Sequence, residues 1–354
     1  MKHPRSTRTH EPGTLLPSTD PRPEPRRIPW RTTLGLLGLL GLVLVSLSVY
    51  WSMHPTPLDD ATAAMTDPGK PAGDATSGIH TVAMAVGIGE SLLTKPGGFL
   101  YNDRLPPGVF LDNTQSWECG NLMALRDFVR ALRNDFSRSQ SQSVENADVK
   151  EADLRFAIDP KSWVLPSAET EYRLGIEALE RYLSDLSGRD QPRAQFFARA
   201  DNLAAYLAVV EKRLGHFGVR LSSSVPDSDL AAAIGIPRAG DDVALLDEEP
   251  VPIQTPWHQV DNVYYCARGY SWALFHLMQA VASDFEAVLA AKHAEISLQQ
   301  IIRDLKGATK PMGSPMVLNG DGYGILANHS LVLASYIAKA NAALMDLRML
   351  MQQG

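Results

Sequence analysis

The chain has 354 residues, 33 Lys and Arg against 40 Asp and Glu, a net charge of −7 and 2 cysteines. An acidic chain repels a phosphate backbone, which argues against nucleic acid as a partner. Two cysteines are too few for a disulfide scaffold or a four-cysteine zinc site.

Residues 1–31 hold seven cations and three acids, leaving residues 32–354 at −11. Seven prolines and little apolar clustering make residues 1–31 a disordered basic tail. Thr32 to Met53 reads TTLGLLGLLGLVLVSLSVYWSM, 22 residues without a charge. As a helix it is about 33 Å long, enough to cross a hydrocarbon core about 30 Å thick. A signal peptide is the competing reading. Its apolar core would be shorter, and small residues would follow it where this chain has Tyr50, Trp51 and Met53. The reading is therefore an uncleaved span over 32–53. Gly35, Gly38 and Gly41 recur every three residues, not the four that would stack them on one helix face. Asp59, Asp60 and Asp67 follow the span before the first cation, Lys70. The charge asymmetry leaves the N-terminus in the cytoplasm and sends the rest across the membrane.

Residues 54–78, rich in Pro, Gly, Asp and Thr, read as a flexible linker, and 79–354 as the main domain. Ile79, Val82, Ala83, Val86 and Leu93 follow helical spacing until Lys95-Pro96-Gly97-Gly98 stops them. After an irregular run from Phe99 to Asn113, a helix from Gln115 or Ser116 carries Leu122, Leu125, Val129, Leu132 and Phe136. SRSQSQSVENADVK reads as a solvated connection. Ser167 opens a helix with the stripe Ile176, Leu179, Leu183 and Leu186; another, from about Pro192 to Phe217, carries Leu203, Leu207, Val210 and Leu214. Val260, Ala267, Leu274, Val281 and Val288 predict one helix from Trp257 to His293, about 55 Å long and hence an elongated bundle. A last helix, Ile325 to Met351, packs Leu333, Ile337, Ala340, Leu344, Leu347 and Met351. The fold class is all-α, a single N-terminal transmembrane helix plus an elongated multi-helix bundle.

Two constellations are candidates for binding. His258, Asp261, Tyr265, Arg268 and Trp272 recur at helical steps opposite the apolar seam. A His–Asp pair could orient an imidazole, Arg268 could hold a carboxylate, and the two aromatic rings could stack on a ligand. The alternative is an ordinary packing face. The loop GGFLYNDRLPPGVFLDN offers Tyr101, Asp103 and Arg104, as a binding surface or as a cap on the bundle. The NGDGYG run at 319–324 lacks the endings of a P-loop or an EF-hand and reads as a turn. The acidic segment from Asp241 to Glu249 reads as a solvated loop. His276 and His329 lie among apolar residues and read as core histidines. Cys119 and Cys266 are either a disulfide in an oxidising compartment or two separate core thiols. No HExxH, GxSxG, SxxK, CxxC or GxGxxG occurs, so no metal, cofactor or catalytic set is expected.

The segments GGFLYNDRLPPGVFLDNTQSWECG, ALRNDFSRSQSQS, WVLPSAETEYRLGIEALERYL and QFFARADNLAAYLAVVEKRLG resemble a bacterial family catalogued as domain of unknown function 2333. The resemblance spans most of residues 80–352. It implies a bacterial protein anchored in the inner membrane, which together with the charge asymmetry puts the main domain in the periplasm, and it supplies no activity. It also gives the SRSQSQS run a second reading, in which Arg138 and its serines bind an anion. The functional expectation is an envelope scaffold or partner-binding module, with an envelope protein or a second copy as partner. A periplasmic enzyme or small-ligand sensor using the two constellations is the alternative.

Overall fold

The computed structural model describes residues 30–53, 55, 58, 77–138, 145–188, 194–224, 255–314, 316–320 and 325–353. The tail before Trp30, nearly all of the linker, the serines at 139–144, the acidic segment and residues 321–324 lie outside them. The chain divides into two units, Met1–Val43 and Leu44–Gly354.

The described residues form ten α-helices. The first is α1 (Trp30–Trp51), which is long and apolar enough to cross a membrane, with a mean hydropathy of 2.2 over its most apolar window. The others are α2 (Ile79–Thr94), α3 (Asp112–Ala131), α4 (Ala147–Phe156), α5 (Ala168–Leu186), α6 (Ala200–Ser222), α7 (Val260–Asp284), α8 (Glu286–Ala291), α9 (Glu295–Ala308) and α10 (His329–Gln352). A π-turn, Leu132–Phe136, extends α3. Among the described residues the β pairing is one isolated bridge, Asn319 to Asn328. The fold class is all-α, as the apolar spacing predicts.

The predicted stripes are the buried ones. Leu122, Leu125, Val129, Leu132 and Phe136 on α3, Leu203, Leu207, Val210 and Leu214 on α6, and Leu333, Ile337, Ala340, Leu344, Leu347 and Met351 on α10 all enter one core. Within it α3 lies along α7, α6 along α10, α9 against α10 and α7, α4 against α5, and α2 among α3, α5 and α7. α3 and α7 run parallel: Ser116 Oγ lies 3.2 Å from Asn262 Oδ1, and four residues on in each helix Gly120 meets Cys266.

Several helix boundaries differ from expectation, and two helices, α4 and α9, are new. The predicted 257–293 helix is instead a 3₁₀ turn (Trp257–Gln259), α7 and α8. The break falls at Asp284, whose carboxylate accepts from Thr81 N (2.7 Å), Thr81 Oγ1 (2.8 Å) and His80 N (3.3 Å). It caps α2, which has no cap of its own. Phe285 then leaves helical geometry at φ −108° and packs its ring on Phe136 and Phe196. The single 55 Å helix is thus replaced by two shorter ones. α4 lies partly inside the expected solvated connection, opened by Asn146, whose Oδ1 accepts from Asp148 N and Val149 N. Only Val149, Ala152 and Phe156 are buried on it, too few for a clear stripe. α6 starts at Ala200, because Phe197 N donates to Phe136 O at 2.7 Å and Phe196 stacks on Phe136. α10 starts after Asn328, whose Oδ1 accepts from Leu331 N.

Candidate functional site

The loop after α2 rests on a buried charged pair. Lys95 Nζ lies 2.6 Å from Glu118 Oε1, both side chains essentially without solvent contact. Lys95 also donates to Gly98 O at 2.5 Å, and Glu118 accepts from Leu100 N at 2.9 and 3.1 Å. The pair thus folds the chain back over the first turns of α3. Burial raises the Glu118 carboxyl to about 7, with Lys95 and the loop amides opposing it. Asn102 Nδ2 donates to Ser162 O and Glu169 Oε2, tying this loop to the one between α4 and α5.

Tyr101 turns inward to two thiols. Cys119 on α3 and Cys266 on α7 are free and half-buried, and they hydrogen-bond to one another, with Tyr101 donating to Cys119. The Cys266 and Tyr101 bonds outweigh burial and bring the Cys119 thiol down to about 7. Cys266 is pushed up in return, by that bond first and by burial second. The two cysteines that sequence left as a disulfide or separate core thiols are therefore neighbours. Asp103 packs its carboxylate over Gly108, where a Cβ would lie 2.0 Å from Oδ2. Burial raises its carboxyl above the usual range. Arg104 is exposed.

The polar face of α7 does not open onto this loop's charges. His258 is exposed in the 3₁₀ turn, and Asp261 Oδ1 accepts from the adjacent Asn262 N at 3.0 Å. Arg268 is buried and its Nη2 donates to Thr309 O (3.1 Å) at the end of α9, where carbonyls lack intrahelical partners. Desolvation lowers the Arg268 guanidinium somewhat. Trp272 lies 5.3 Å from Trp117 and 4.6 Å from His276, ring centre to ring centre. Tyr265 packs edge-on against Tyr264. His276 is buried, and His329 Nδ1 accepts from Leu318 N, so both serve packing. A cavity of about 240 Å³ is lined by Tyr264, Lys310, Met312, His329, Leu333 and Tyr336, and by none of the eight predicted site residues.

Other groups came from tertiary structure alone. Asp127 on α3 accepts from Arg213 Nε on α6 (2.9 Å) and from Tyr270 OH on α7 (3.4 Å), joining three helices in the core. Arg126 donates to Phe156 O and Ile158 O, both at 2.6 Å, closing the end of α4. A charge on an apolar helix face, as in WECG, is the one trace such groups leave in sequence. Among the described residues no three His, Cys, Asp or Glu side chains gather as a metal site.

Neither a curated protein nor a solved structure matches the chain. A family model described as "Uncharacterized protein conserved in bacteria (DUF2333)" matches residues 25–354. Nearly the whole chain is covered, in agreement with the segments that carry the resemblance, and the protein belongs to the DUF2333 family.

Proposed function

We propose that this protein is anchored in the bacterial inner membrane by α1, with its basic tail in the cytoplasm, and presents its bundle to the periplasm as a scaffold or partner-binding module. The observation that carries the binding-module reading is the use made of the α7 polar face. Arg268 and Trp272 are spent on α9 and α3, and Asp261 on its own helix turn. A face so engaged holds helices together and leaves the outer surface to meet a partner. The anchor reading is supported by the length and apolarity of α1 and the cations before it.

A reporter active only in the periplasm, fused to the C-terminus, tests the topology. Activity is the expected result, and a cytoplasmic signal overturns it. Crosslinking in the same cells should recover a reproducible envelope protein or a second copy, and recovery of neither counts against the scaffold.

Arg268→Ala should cost about 2 kcal/mol in denaturant unfolding, as expected when a buried charge-assisted bond is removed. Asp261→Ala should stay within about 0.5 kcal/mol. Unchanged stability in Arg268→Ala would contradict the packing role.

The periplasmic placement has a consequence for the thiols. There Cys119 and Cys266 should close into a disulfide, each giving up its proton while two electrons pass to a disulfide-bearing oxidant. Alkylation of protein drawn from the envelope should leave both cysteines unmodified until a reductant is added. Two freely alkylated thiols would refute the bridge.

A further inference from the structure

One end of the bundle exposes large apolar side chains on three separate loops. Leu105 is 70% exposed and Phe110 73% in the loop before α3, Trp163 51% and Leu165 92% in the loop before α5, and Trp257 91% in the turn before α7. These loops share one end. Asn102 bonds the first to Ser162 of the second, and the opening turns of α3 and α7 lie side by side through Ser116 and Asn262. Such residues would ordinarily be buried or absent from a solvated surface.

The second loop is built to hold its residues outward. Leu165 has φ 53°, in the left-handed region that costs an ordinary residue about 1 kcal/mol. Ser162 fixes the turn on both sides, donating from Oγ to Pro166 O at 2.5 Å and accepting at its carbonyl from Ala168 N at 3.0 Å. The cost is borne for a leucine that packs on almost nothing in the molecule.

The place where the chain enters the bundle indicates what covers this end. Trp51, the last residue of α1, lies against Gly97 in the turn that leads into the first loop; a Cβ on Gly97 would meet its ring at 2.8 Å. Leu58 is buried against Gly87 of α2. Both contacts lie within the unit Leu44–Gly354. At 3.3–3.6 Å per extended residue, the seven steps from Trp51 to Leu58 reach at most about 25 Å. Arg104 and Lys161 are exposed on the same loops, among the exposed acids Asp112 and Asp159, so the loops carry no net positive charge and the apolar side chains carry the contact.

Resting on the reading of α1 as a membrane span, we propose that this end of the bundle seats on the phospholipid interface of the membrane that α1 enters. Leu105, Phe110, Trp163, Leu165 and Trp257 insert among the headgroups. Exposed aromatic and leucine side chains clustered at the end where the span joins the bundle are the chemistry of an interfacial contact. The tether makes the contact intramolecular, so modest insertion suffices to hold it.

The experiment places the photo-crosslinking residue p-benzoylphenylalanine singly at 40, 110, 163, 257 and 296 of the full-length protein in its native membrane. Position 40 is mid-span. Ile296 is as exposed as the loop residues but opens α9, whose far end meets Arg268. Phospholipid adducts at 110, 163 and 257, several-fold above those at 296 and accompanied by adducts at 40, are the expected result. Adducts at 40 without adducts at the loops overturn the docking and leave the span reading intact. Loss of lipid adducts at 40 overturns the span reading itself. Protein adducts at the loops in place of lipid mean that this end meets a protein partner, and the proposal fails. All labelled positions but 40 are exposed side chains on the bundle, and circular dichroism of each variant confirms that the fold survives.

Discussion

Glu118→Ala should destabilise the folded protein by about 3–5 kcal/mol, because it leaves the Lys95 ammonium buried without a counter-charge. Lys95 has no solvent to retreat to, and its remaining partner is Gly98 O. Leu100 N would lose its acceptor as well. The paired change Lys95→Met with Glu118→Leu should cost clearly less than Glu118→Ala alone, since apolar side chains of similar volume need no compensation there. A double change as costly as the sum of the single changes would show that the two charges act independently. Denaturant unfolding of the wild type, Lys95→Met, Glu118→Leu and the double completes the cycle.

The same pair predicts a pH dependence. The folded Glu118 carboxyl lies at about 7 against an ordinary value of 4.5, so between these values the folded state holds more protons than the unfolded chain. Its contribution is therefore most favourable below the unfolded value and is lost as pH rises through the folded one. Glu118→Gln keeps an acceptor for Leu100 N but cannot titrate. It should flatten the change in stability between about pH 5 and about pH 8 relative to wild type. An unchanged slope would place the titration elsewhere; Asp284 and Asp127, also raised by burial, are the candidates to examine.

The second large effect is expected at the crossing of α3 and α7. A Cβ on Gly120 would stand 1.9 Å from Cys266 O and 2.5 Å from Tyr270 N, and one on Gly269 2.1 Å from Trp117 O. These obstacles are backbone atoms of helices fixed in the core, so no side chain can swing aside. Gly120→Val or Gly269→Val should cost about 3 kcal/mol or more and lower the melting temperature accordingly. The same substitution at Gly215 or Gly218 on α6, where nothing lies within 4 Å, should cost only helix-propensity differences. The closeness has a use beyond packing, since it brings Cys119 and Cys266 together with Tyr101. A crossing forced open by valine should therefore also slow disulfide closure relative to wild type.

The aromatic cluster around Phe136 shows how local and distant causes combine. The π-turn at 132–136 directs Phe136 inward, where its ring meets Phe128, Phe196, Tyr206 and Phe285 from four further segments. Arg133 in the same turn pairs with Asp153 (2.8 Å) and Glu145 (3.1 Å), holding α4 to the end of α3. The family segment RNDF thus has a packing role here, while the anion reading of Arg138 falls mostly on residues outside those described.

What sequence by itself determined is what depends on repetition along one element. The apolar run of α1, the all-α class and the buried stripes of α3, α6 and α10 all follow from side-chain spacing, because each helix must bury one face whatever its neighbours are. The cap at Ser167 was equally legible, since Ser167 Oγ accepts from Thr170 N only three residues on. Tertiary structure alone decided what rests on pairs far apart in the chain. Asp284 ends α7 because α2, 203 residues away, lacks an N-cap, and apolar spacing continues through Phe285 without a sign of the break. The α7 polar face looked like a site because its residue types suit one. Its Arg268 bonds to the end of α9 and its Trp272 packs on Trp117 of α3, and a one-dimensional pattern does not say which neighbour a face meets. The loop at 99–113 showed its charged and aromatic residue types in plain view, yet its floor, Lys95 with Glu118, and the neighbouring thiols, Cys119 with Cys266, exist only where the chain returns to itself. The energy of a buried charge or of a helix crossing belongs to both partners, so neither segment specifies it alone.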